Sequence, residues 1–364
     1  MTKHTEFAAW FRLLETPGVG RDTARRLLAA CASPQAVLAM PEAALRQWVG
    51  PTVARALVTK PALLAERLAA ACAWLDGGPQ RHVLTLGDPA YPARLLQTVD
   101  PPLMLYVQGE IELLGQAAIA VVGSRRPTVQ GIDNARAFAA SLSQQGLVVV
   151  SGLALGIDAA AHEGALTGNT PTVAVVGTGL DRVYPARHRD LAHRIAERGA
   201  VVSEYAPGTP PLPENFPPRN RIIAGLSLGT LVVEAALQSG SLITARLAVE
   251  AGREVFAVPG SIHSPQSKGC HALLKQGAKL VESAQDILEE LQLAPQQAAL
   301  ALEAVVAPEG PLFDALGYEP VTLDALMART GWPVADLNAR LLELELDGHV
   351  ARLPGGLYQR RHAA

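Results

Sequence analysis

Cysteine, aromatic residues and long apolar runs are all scarce in this sequence. The three cysteines, Cys31, Cys72 and Cys270, are far apart and form neither a CxxC pair nor a Cys/His ligand spacing. A disulfide scaffold and a structural zinc site are therefore not expected. No apolar run approaches the length of a membrane span, and the N-terminus lacks the charged-then-apolar pattern of a signal peptide. We interpret the chain as a cytoplasmic protein without membrane contact.

Net positive charge and catalytic motifs are also missing. The formal net charge is −3, so nucleic-acid binding would need a local basic patch rather than a cationic body. The sequence contains no HExxH, no GxSxG, no P-loop and no paired carboxylates at a fixed spacing. The turn at 177–179 departs from the dinucleotide-binding GxGxxG motif, because Arg182 stands at the third glycine position. We therefore predict no catalytic residue, no bound metal and no cofactor.

The centre of the chain predicts an α/β core. With 364 residues, 49% of them hydrophobic, the chain has room for two or three domains. Residues 117–291 alternate strand-length apolar runs with helical patterns, which indicates a mostly parallel sheet buried on both faces. The predicted strands are 118–122, 147–150, 172–176, 200–202, 230–233 and 254–258.

The segment before this core predicts a helical module and a connection. Residues 1–80 have the spacing of short helices broken by Gly and Pro. Their Gly18-Val19-Gly20 turn is of the kind that presents backbone N–H groups to a phosphate in helix-hairpin-helix modules. Residues 81–116 are interpreted as a proline-rich transition segment.

The segment after the core predicts a linker and a small final domain. Residues 292–311 are rich in Ala, Gln and Pro and are interpreted as a linker. In residues 312–364, two helices around 322–329 and 334–346 precede a two-stranded hairpin. That order of elements is typical of a winged helix.

The loops after the first two predicted strands of the core carry candidate ligand-binding residues, because ligands of an open parallel sheet bind beyond the carboxyl ends of its strands. The first loop contains Gly123, Ser124 and Arg125. Glycine allows close backbone approach, the hydroxyl and guanidinium groups bind anions, and the following helix would present its N-terminus to an anion. The second loop begins with Ser151 and Gly152.

The residues around 214–227 are the most informative for function. Phe216 precedes Pro217-Pro218, which we expect to hold an extended approach to the triplet Arg219-Asn220-Arg221 at a helix start. An exposed ring that stacks on a base, beside guanidinium groups that bind phosphates, is what sequence-tolerant single-strand binding requires.

Several polar residues near these loops have less distinctive patterns. Ser239, Gly240 and Ser241 precede a helix start and are predicted to form another anion cradle. Asp158 is expected to cap the helix of 159–165, and His162 to be a packing residue. Glu234 ends a strand and is either a base or a group that orients an arginine. Lys268 is expected, from its sequence context alone, to be a solvated surface charge.

Taken together, these blocks resemble the DNA-processing protein A family, DprA or Smf, the recombination mediators of bacterial natural transformation. The matching stretches are 123–125, 151–158, 215–227, 239–245 and 259–270. One departure is visible, because His271 stands where the family usually has Asn after Gly-Cys.

The resemblance implies an extended Rossmann-like core that binds single-stranded DNA without a nucleotide cofactor, a sterile-alpha-motif or helix-hairpin-helix module before it and a winged helix after it. It also implies a homodimer formed through the core, protection of the strand from nucleases, and loading of RecA during transformation and homologous recombination. The implied phosphate pocket consists of Gly123, Ser124, Arg125, Ser151, Gly152, Ser239 and Gly240. The implied basic and aromatic contacts are Phe216, Arg219, Arg221 and Lys268, with Asn220 between the two arginines.

Two other functions remain open at this point. One is a nucleotide-processing Rossmann enzyme of the phosphoribohydrolase type. Glu234 and Gly240 loosely resemble the strand-end Glu and the Gly-rich loop of such enzymes, although the usual PGGxGT-type block is missing. The other is a duplex-DNA regulator that acts through the winged helix. Several carboxylates on its presumed recognition helix argue against that function, because they would meet the phosphates.

Overall fold

The computed structural model describes residues 3–293, 310–317, 320–353 and 355–360. No helix within these ranges is both long enough and apolar enough to cross a lipid bilayer.

An N-terminal helical module packs against one end of the central sheet. Ser33 caps the third helix by accepting a hydrogen bond from Ala36 N at 3.1 Å, and Pro34 occupies its first turn. The apolar faces of the module bury Phe11, Trp10 and Trp74 together with Tyr106 of the sheet. Its six helices are α1 (Lys3–Leu14), α2 (Arg21–Cys31), α3 (Pro34–Ala39), α4 (Glu42–Leu45), α5 (Pro51–Val58) and α6 (Leu64–Asp76).

The core is a nine-stranded sheet in which all six predicted strands are present. The strands are β1 (Arg81–Thr85), β2 (Met104–Gly109), β3 (Ala118–Val122), β4 (Val148–Ser151), β5 (Thr172–Val176), β6 (Ala200–Ser203), β7 (Gly229–Val232), β8 (Glu254–Ala257) and β9 (Lys279–Leu280). Their order is β1-β2-β6-β5-β4-β3-β7-β8-β9. The pairs from β6 through β9 are parallel, and in register Ala120 of β3 lies between Val150 of β4 and Thr230 of β7.

The segment 81–116 contributes more to the sheet than a transition would. Strands β1 and β2 extend the sheet antiparallel beyond β6, with Tyr106 paired to Ser203. The sequence pattern showed no strand here because only Leu84 of β1 is buried, and because the prolines between β1 and β2 dominate the composition of the segment. The sheet edge is thereby built from residues that precede the first parallel strand.

Helices cover both faces of the sheet, which explains why its strands are continuously apolar. Helices α11, α12 and α13 pack on one face against residues such as Val150 and Val202, whereas α8, α9, α10 and α14 cover the other face, on which Val121 and Phe256 lie. The helices are α7 (Ala93–Leu96), α8 (Val129–Gln144), α9 (Ile157–Ala165), α10 (Arg189–Arg198), α11 (Phe216–Leu226), α12 (Ser241–Glu250), α13 (Lys268–Lys275) and α14 (Ala284–Glu290).

The C-terminal unit has the predicted winged-helix order and its own apolar core around Leu326, Leu341 and Tyr358. It consists of α15 (Pro311–Leu316), β10 (Val321–Thr322), α16 (Leu323–Thr330), α17 (Val334–Leu346), β11 (Val350–Leu353) and β12 (Leu357–Arg360), with sheet order β10-β12-β11. The predicted linker at 292–311 lies mostly outside the described residues.

Candidate functional site

A cleft of about 490 Å³ opens at the carboxyl ends of β3 and β7. The chain runs from β3 towards β6 in one direction and from β7 towards β9 in the other, so this is the switch point where open α/β sheets bind ligands. Eight of the twelve predicted site residues line the cleft. They are Gly123, Ser124, Arg125, Phe216, Arg219, Asn220, Ser239 and Gly240.

The loop after β3 is held rigidly beside the end of β7. Ser124 N donates to Glu234 O at 2.7 Å, and the Ser124 hydroxyl accepts from Arg126 N at 3.0 Å. A side chain at Gly123 would place its Cβ 2.8 Å from Glu234 O, so only glycine fits this approach. The exposed guanidinium of Arg125 makes no hydrogen bond or ion pair within the described residues and is free to bind an anion.

The N-terminus of α8, expected from the sequence to face an external anion, is occupied by the protein's own carboxylate. Glu234 accepts from Thr128 N at 2.9 Å and from the Thr128 hydroxyl at 2.5 Å, and that hydroxyl accepts from Gly131 N. Burial raises the pKa of Glu234, and the two bonds from Thr128 oppose the shift. Thr128 is therefore the N-cap residue of α8, and Glu234 caps the helix end through it without lining the cleft.

The loop after β4 is closed by Asp158, whose expected capping role is only partly met. Helix α9 already begins at Ile157, with Gly156 before it at φ +80°, so Asp158 lies inside the first turn. Its carboxylate accepts from Gly152 N at 3.1 Å and from Ala154 N at 3.3 Å, which folds the loop back on the helix. Ser151 is fully buried and donates to Val121 O at 2.7 Å, so its hydroxyl does not face the cleft.

His162, predicted to be a packing residue, is fully buried on α9. Its Nδ1 lies 2.8 Å from the Thr172 hydroxyl, which itself donates to Val149 O. Burial lowers the pKa of His162 to about 3, and the nearby Arg219 charge adds to the shift, so the imidazole is neutral. The geometry agrees with packing and with no contact to the cleft.

Arg219 is buried, contrary to the expectation of an exposed phosphate ligand. Its side chain is inserted between strand ends, where Nη1 donates to Val175 O at 2.5 Å and also to Gly152 O. A Cβ at Gly152 would lie 2.4 Å from the Arg219 guanidinium, so Gly152 makes room for this side chain rather than for a ligand. Arg219 thus ties α11 to the ends of β4 and β5, with a small part of its surface reaching the cleft.

Phe216 lies half-buried at the start of α11 and borders two cavities, the cleft and a smaller one of about 70 Å³. Pro217 and Pro218 occupy the first turn of the helix rather than an extended approach, because that turn needs no backbone donor from them. The Phe216 ring rests on Gly177, where a Cβ would lie 3.0 Å from it, and its centroid is 5.5 Å from the ring of Tyr184. An aromatic surface thus faces the cleft.

The opposite wall of the cleft is the N-terminus of α12. Ser239 and Ser241 share a hydroxyl–hydroxyl hydrogen bond of 2.7 Å, and the space around the Cα of Gly240 is open. Ser241, named with Ser239 and Gly240 from the sequence, lines the cleft, and so does Thr244, which was not singled out and lies one helical turn later. Their i, i+3 spacing on the helix was the available signal.

Arg221 and Lys268 lie away from the cleft. Arg221 Nε donates to Asp100 at 2.9 Å and its Nη2 donates to Glu204 at 2.7 Å. The Lys268 ammonium donates to Ile262 O at the start of α13. The predicted phosphate role of Arg221 fails in this geometry because its charge is already balanced by two carboxylates.

The charges around the cleft favour a negatively charged ligand. Arg125 and Arg126 are exposed at its rim, opposite the N-terminus of α12. Within the described ranges, Asp158 is the only carboxylate that lines the cleft, and it is buried. No group of three His, Cys, Asp or Glu side chains among the described residues is arranged to hold a metal ion. The cleft is thus suited to an anionic group beside a planar, apolar one.

Comparison with known families identifies the chain. Residues 82–292 match the family model described as DNA recombination-mediator protein A, and residues 294–356 match the DprA winged helix domain.

The chain belongs to the DNA recombination-mediator protein A family.

Relatives within this family cover most of the chain. Protein Smf of Escherichia coli is 45% identical over 300 residues, which are 80% of this chain and 80% of that protein. DNA processing protein DprA of Streptococcus pneumoniae is 49% identical over 205 residues, covering 56% of this chain and 72% of that protein.

Two solved structures of family members have the same fold. That of DprA from S. pneumoniae superposes with a TM-score of 0.68 at 37% identity, covering 80% of this chain and 98% of the other. A structure of DNA processing protein A from Helicobacter pylori, whose subject is the binding mode of single-stranded DNA, has a TM-score of 0.53 at 32% identity. It covers 58% of this chain and 96% of the other.

The departure from the DNA recombination-mediator protein A pattern at His271 has a local explanation. The Nε2 atom of His271 lies 2.9 Å from Gly260 O and donates a hydrogen bond to it. His271 thereby connects α13 to the 259–260 turn, and an asparagine amide is a donor of the same kind.

Proposed function

We propose that this protein binds single-stranded DNA in the cleft between the β3 loop and α12, and delivers it to the recombinase RecA without catalysing a reaction. Phosphates would lie between the Arg125 guanidinium and the N-terminus of α12, and a base would stack on Phe216. Membership of a recombination-mediator family and the single-strand binding described for the H. pylori relative support this assignment.

The observation that carries the proposal is the pairing of charge and ring in one cleft. Arg125 is exposed and unpaired within the described residues, while Phe216 presents part of its ring to the same space. Aromatic stacking accepts any base, and a guanidinium binds any phosphate, so this combination favours binding that tolerates every sequence. A duplex fits it poorly, because the bases of a duplex are stacked on each other.

The surrounding residues favour binding over nucleotide chemistry. Glu234, the candidate base of a phosphoribohydrolase, is engaged as the cap of α8. Burial raises the pKa of the Cys270 thiol to about 12, so it is a poor nucleophile. These observations support a protein that binds a strand and does not catalyse a reaction on it.

The assembly and partners are proposed from the family resemblance. We expect a homodimer that forms through the core and acts in the cytoplasm, where it protects the strand and loads RecA during transformation and recombination. RecA filament formation on single strands, followed with and without this protein, tests the loading step. An unchanged rate of filament formation would contradict it.

The binding step is tested with labelled oligothymidylate and a matched duplex across a salt series. We expect preference for the single strand, with log affinity falling by about 0.7 per neutralised phosphate against log salt. Arg125→Ala should weaken binding and reduce the slope by about one phosphate contact. Arg46→Ala is the matched control, because Arg46 is exposed on the N-terminal module and, within the described residues, its side chain pairs with Glu42 alone. Equal affinity of the two variants, or no single-strand preference, would overturn the proposal.

A further inference from the structure

A second cationic groove lies beside the proposed strand-binding cleft. It encloses about 690 Å³ between the loop after β5, helix α10 and the edge of the N-terminal module. Its lining includes Arg81, Arg182, Arg189 and His193, which are exposed or half-exposed, above apolar residues. The loop after β5 begins with the turn at 177–179, which departs from the dinucleotide-binding motif.

The charges of the groove are predominantly positive. Arg189 and His193 make no hydrogen bond or ion pair through their side chains within the described ranges. Arg81 donates to Trp74 O at 2.8 Å and its guanidinium lies 5.5 Å from the centroid of that indole. Asp181 is the one carboxylate of the described lining, and it is already bonded to Gly208 N and to Arg182.

The smaller cavity shares lining residues with both the cleft and the groove. Phe216 and Arg125 border both the cleft and that cavity, while Val176 borders both that cavity and the groove. Tyr184 is half-exposed at the cavity, with its ring 5.5 Å from that of Phe216. A chain that leaves the cleft past Phe216 therefore meets a second ring and then the cationic groove.

We propose that the bound single strand continues from the cleft over Tyr184 into this groove, which makes the groove a second contact surface for the same strand. This inference rests on the proposed function. The floor of the groove is apolar and is formed by Val176, Val183 and Val201, whereas its rim is cationic. Bases would therefore contact the floor and phosphates the rim. The basic residues interleaved with an aromatic ring along the loop have the composition of a single-strand track.

Helix α10 offers a matched pair of variants for the test. Arg189, Ala192, His193 and Ala196 line the groove at i, i+3, i+4 and i+7, which is one face of the helix. Arg194 is exposed on the same helix but does not line the groove. Arg189→Ala and Arg194→Ala therefore remove the same charge from two faces of one element.

The experiment measures binding of the full chain to a short oligothymidylate of about 4 nucleotides and a long one of about 16, the range over which single-strand sites extend. Wild type should bind the long strand more tightly. Arg189→Ala and Tyr184→Ala should each lose about five- to tenfold affinity for the long strand, with little change for the short one. Arg189→Ala should also lower the salt slope for the long strand by about 0.7. Arg194→Ala should match wild type at both lengths.

The outcomes separate this inference from the function on which it rests. If wild type binds neither strand, the proposed function fails and the groove proposal fails with it. If wild type binds both strands but Arg189→Ala behaves as Arg194→Ala does at both lengths, only the groove proposal is overturned.

Discussion

Replacing Arg221 with alanine should destabilise the protein while leaving single-strand binding nearly unchanged. Arg221 lies in a cluster where three arginines from two modules meet two carboxylates. Asp100 accepts from Arg221 Nε at 2.9 Å and from Arg25 Nη1 at 2.5 Å, and it forms an ion pair with Arg21, whose Nε lies 3.0 Å away. Glu204 accepts from Arg221 Nη2 at 2.7 Å, and Arg21 lies 3.4 Å from its other oxygen. The cluster therefore connects α2 of the N-terminal module to the core.

The expected magnitude follows from the two bonds that are lost. Each charge-assisted hydrogen bond contributes about 1.5–3 kcal/mol, so two give an upper bound of about 3–6 kcal/mol. The Asp100 and Glu204 side chains are 27% and 14% exposed, and Arg21 still contacts both, so water and the remaining arginines recover part of this. We expect a loss of about 2–3 kcal/mol in the free energy of unfolding.

Urea unfolding followed by tryptophan fluorescence measures the effect, because Trp10 and Trp74 are buried in the N-terminal module near the cluster. Arg46→Ala, which breaks one exposed i, i+4 pair, is the control and should change stability by less than about 0.5 kcal/mol. A double-mutant cycle with Glu204→Gln should give a coupling energy above about 0.5 kcal/mol. Unchanged stability together with lost DNA binding would refute the reasoning and restore Arg221 as a phosphate ligand.

The same cluster makes stability depend on acid. Burial alone would raise the pKa of Asp100, but the bonds and charges of Arg221, Arg25 and Arg21 outweigh it and hold the pKa below its usual value. A carboxyl with a lowered folded-state pKa stabilises the fold above its unfolded pKa, and this stabilisation is lost as the pH falls through the folded value. The difference in the free energy of unfolding between wild type and Arg221→Ala should therefore become smaller below about pH 4.

Three further predictions concern the cleft and the domains around it. Phe216→Ala should weaken single-strand binding by about 1–3 kcal/mol without changing the salt slope, because stacking involves no charge. If this variant binds as tightly as wild type at every salt concentration, Phe216 does not stack on a base. Removal of residues 312–364 should leave most single-strand affinity intact in the same titration, and a loss as large as that of Arg125→Ala would move the site to the winged helix. Gly152→Ala should lower the melting temperature through a clash with the buried Arg219 guanidinium, at a cost of about 1–3 kcal/mol. Gly115→Ala, whose added Cβ meets nothing within 4 Å, is the matched control, and equal melting temperatures would contradict the clash.

Local patterns in the sequence were sufficient for the core strands and the winged helix. Continuous β-branched runs such as 118–122 and 172–176 became central strands buried on both faces. The predicted helices at 322–329 and 334–346 correspond to Leu323–Thr330 and Val334–Leu346. These elements are predictable because burial of a face imposes a period on neighbouring residues.

The position of the cleft was also predictable, because the loops at the carboxyl ends of parallel strands meet at the switch point of the sheet. Eight of the twelve named residues line the cleft for this reason. The aromatic partner of Phe216 was missed, since Tyr184 is 32 residues away in a loop without a recognisable pattern.

Only the tertiary structure decided which charged residues face the cleft. The sequence treats Arg125, Arg219 and Arg221 alike, yet the first is exposed at the cleft, the second is buried against two carbonyls and the third is paired with Asp100, 121 positions away. Glu234 likewise became a helix cap through Thr128, 106 positions away. A periodic pattern records whether a face is buried but not which distant group lies across from it, and that long-range pairing determines whether a charge is free to bind DNA.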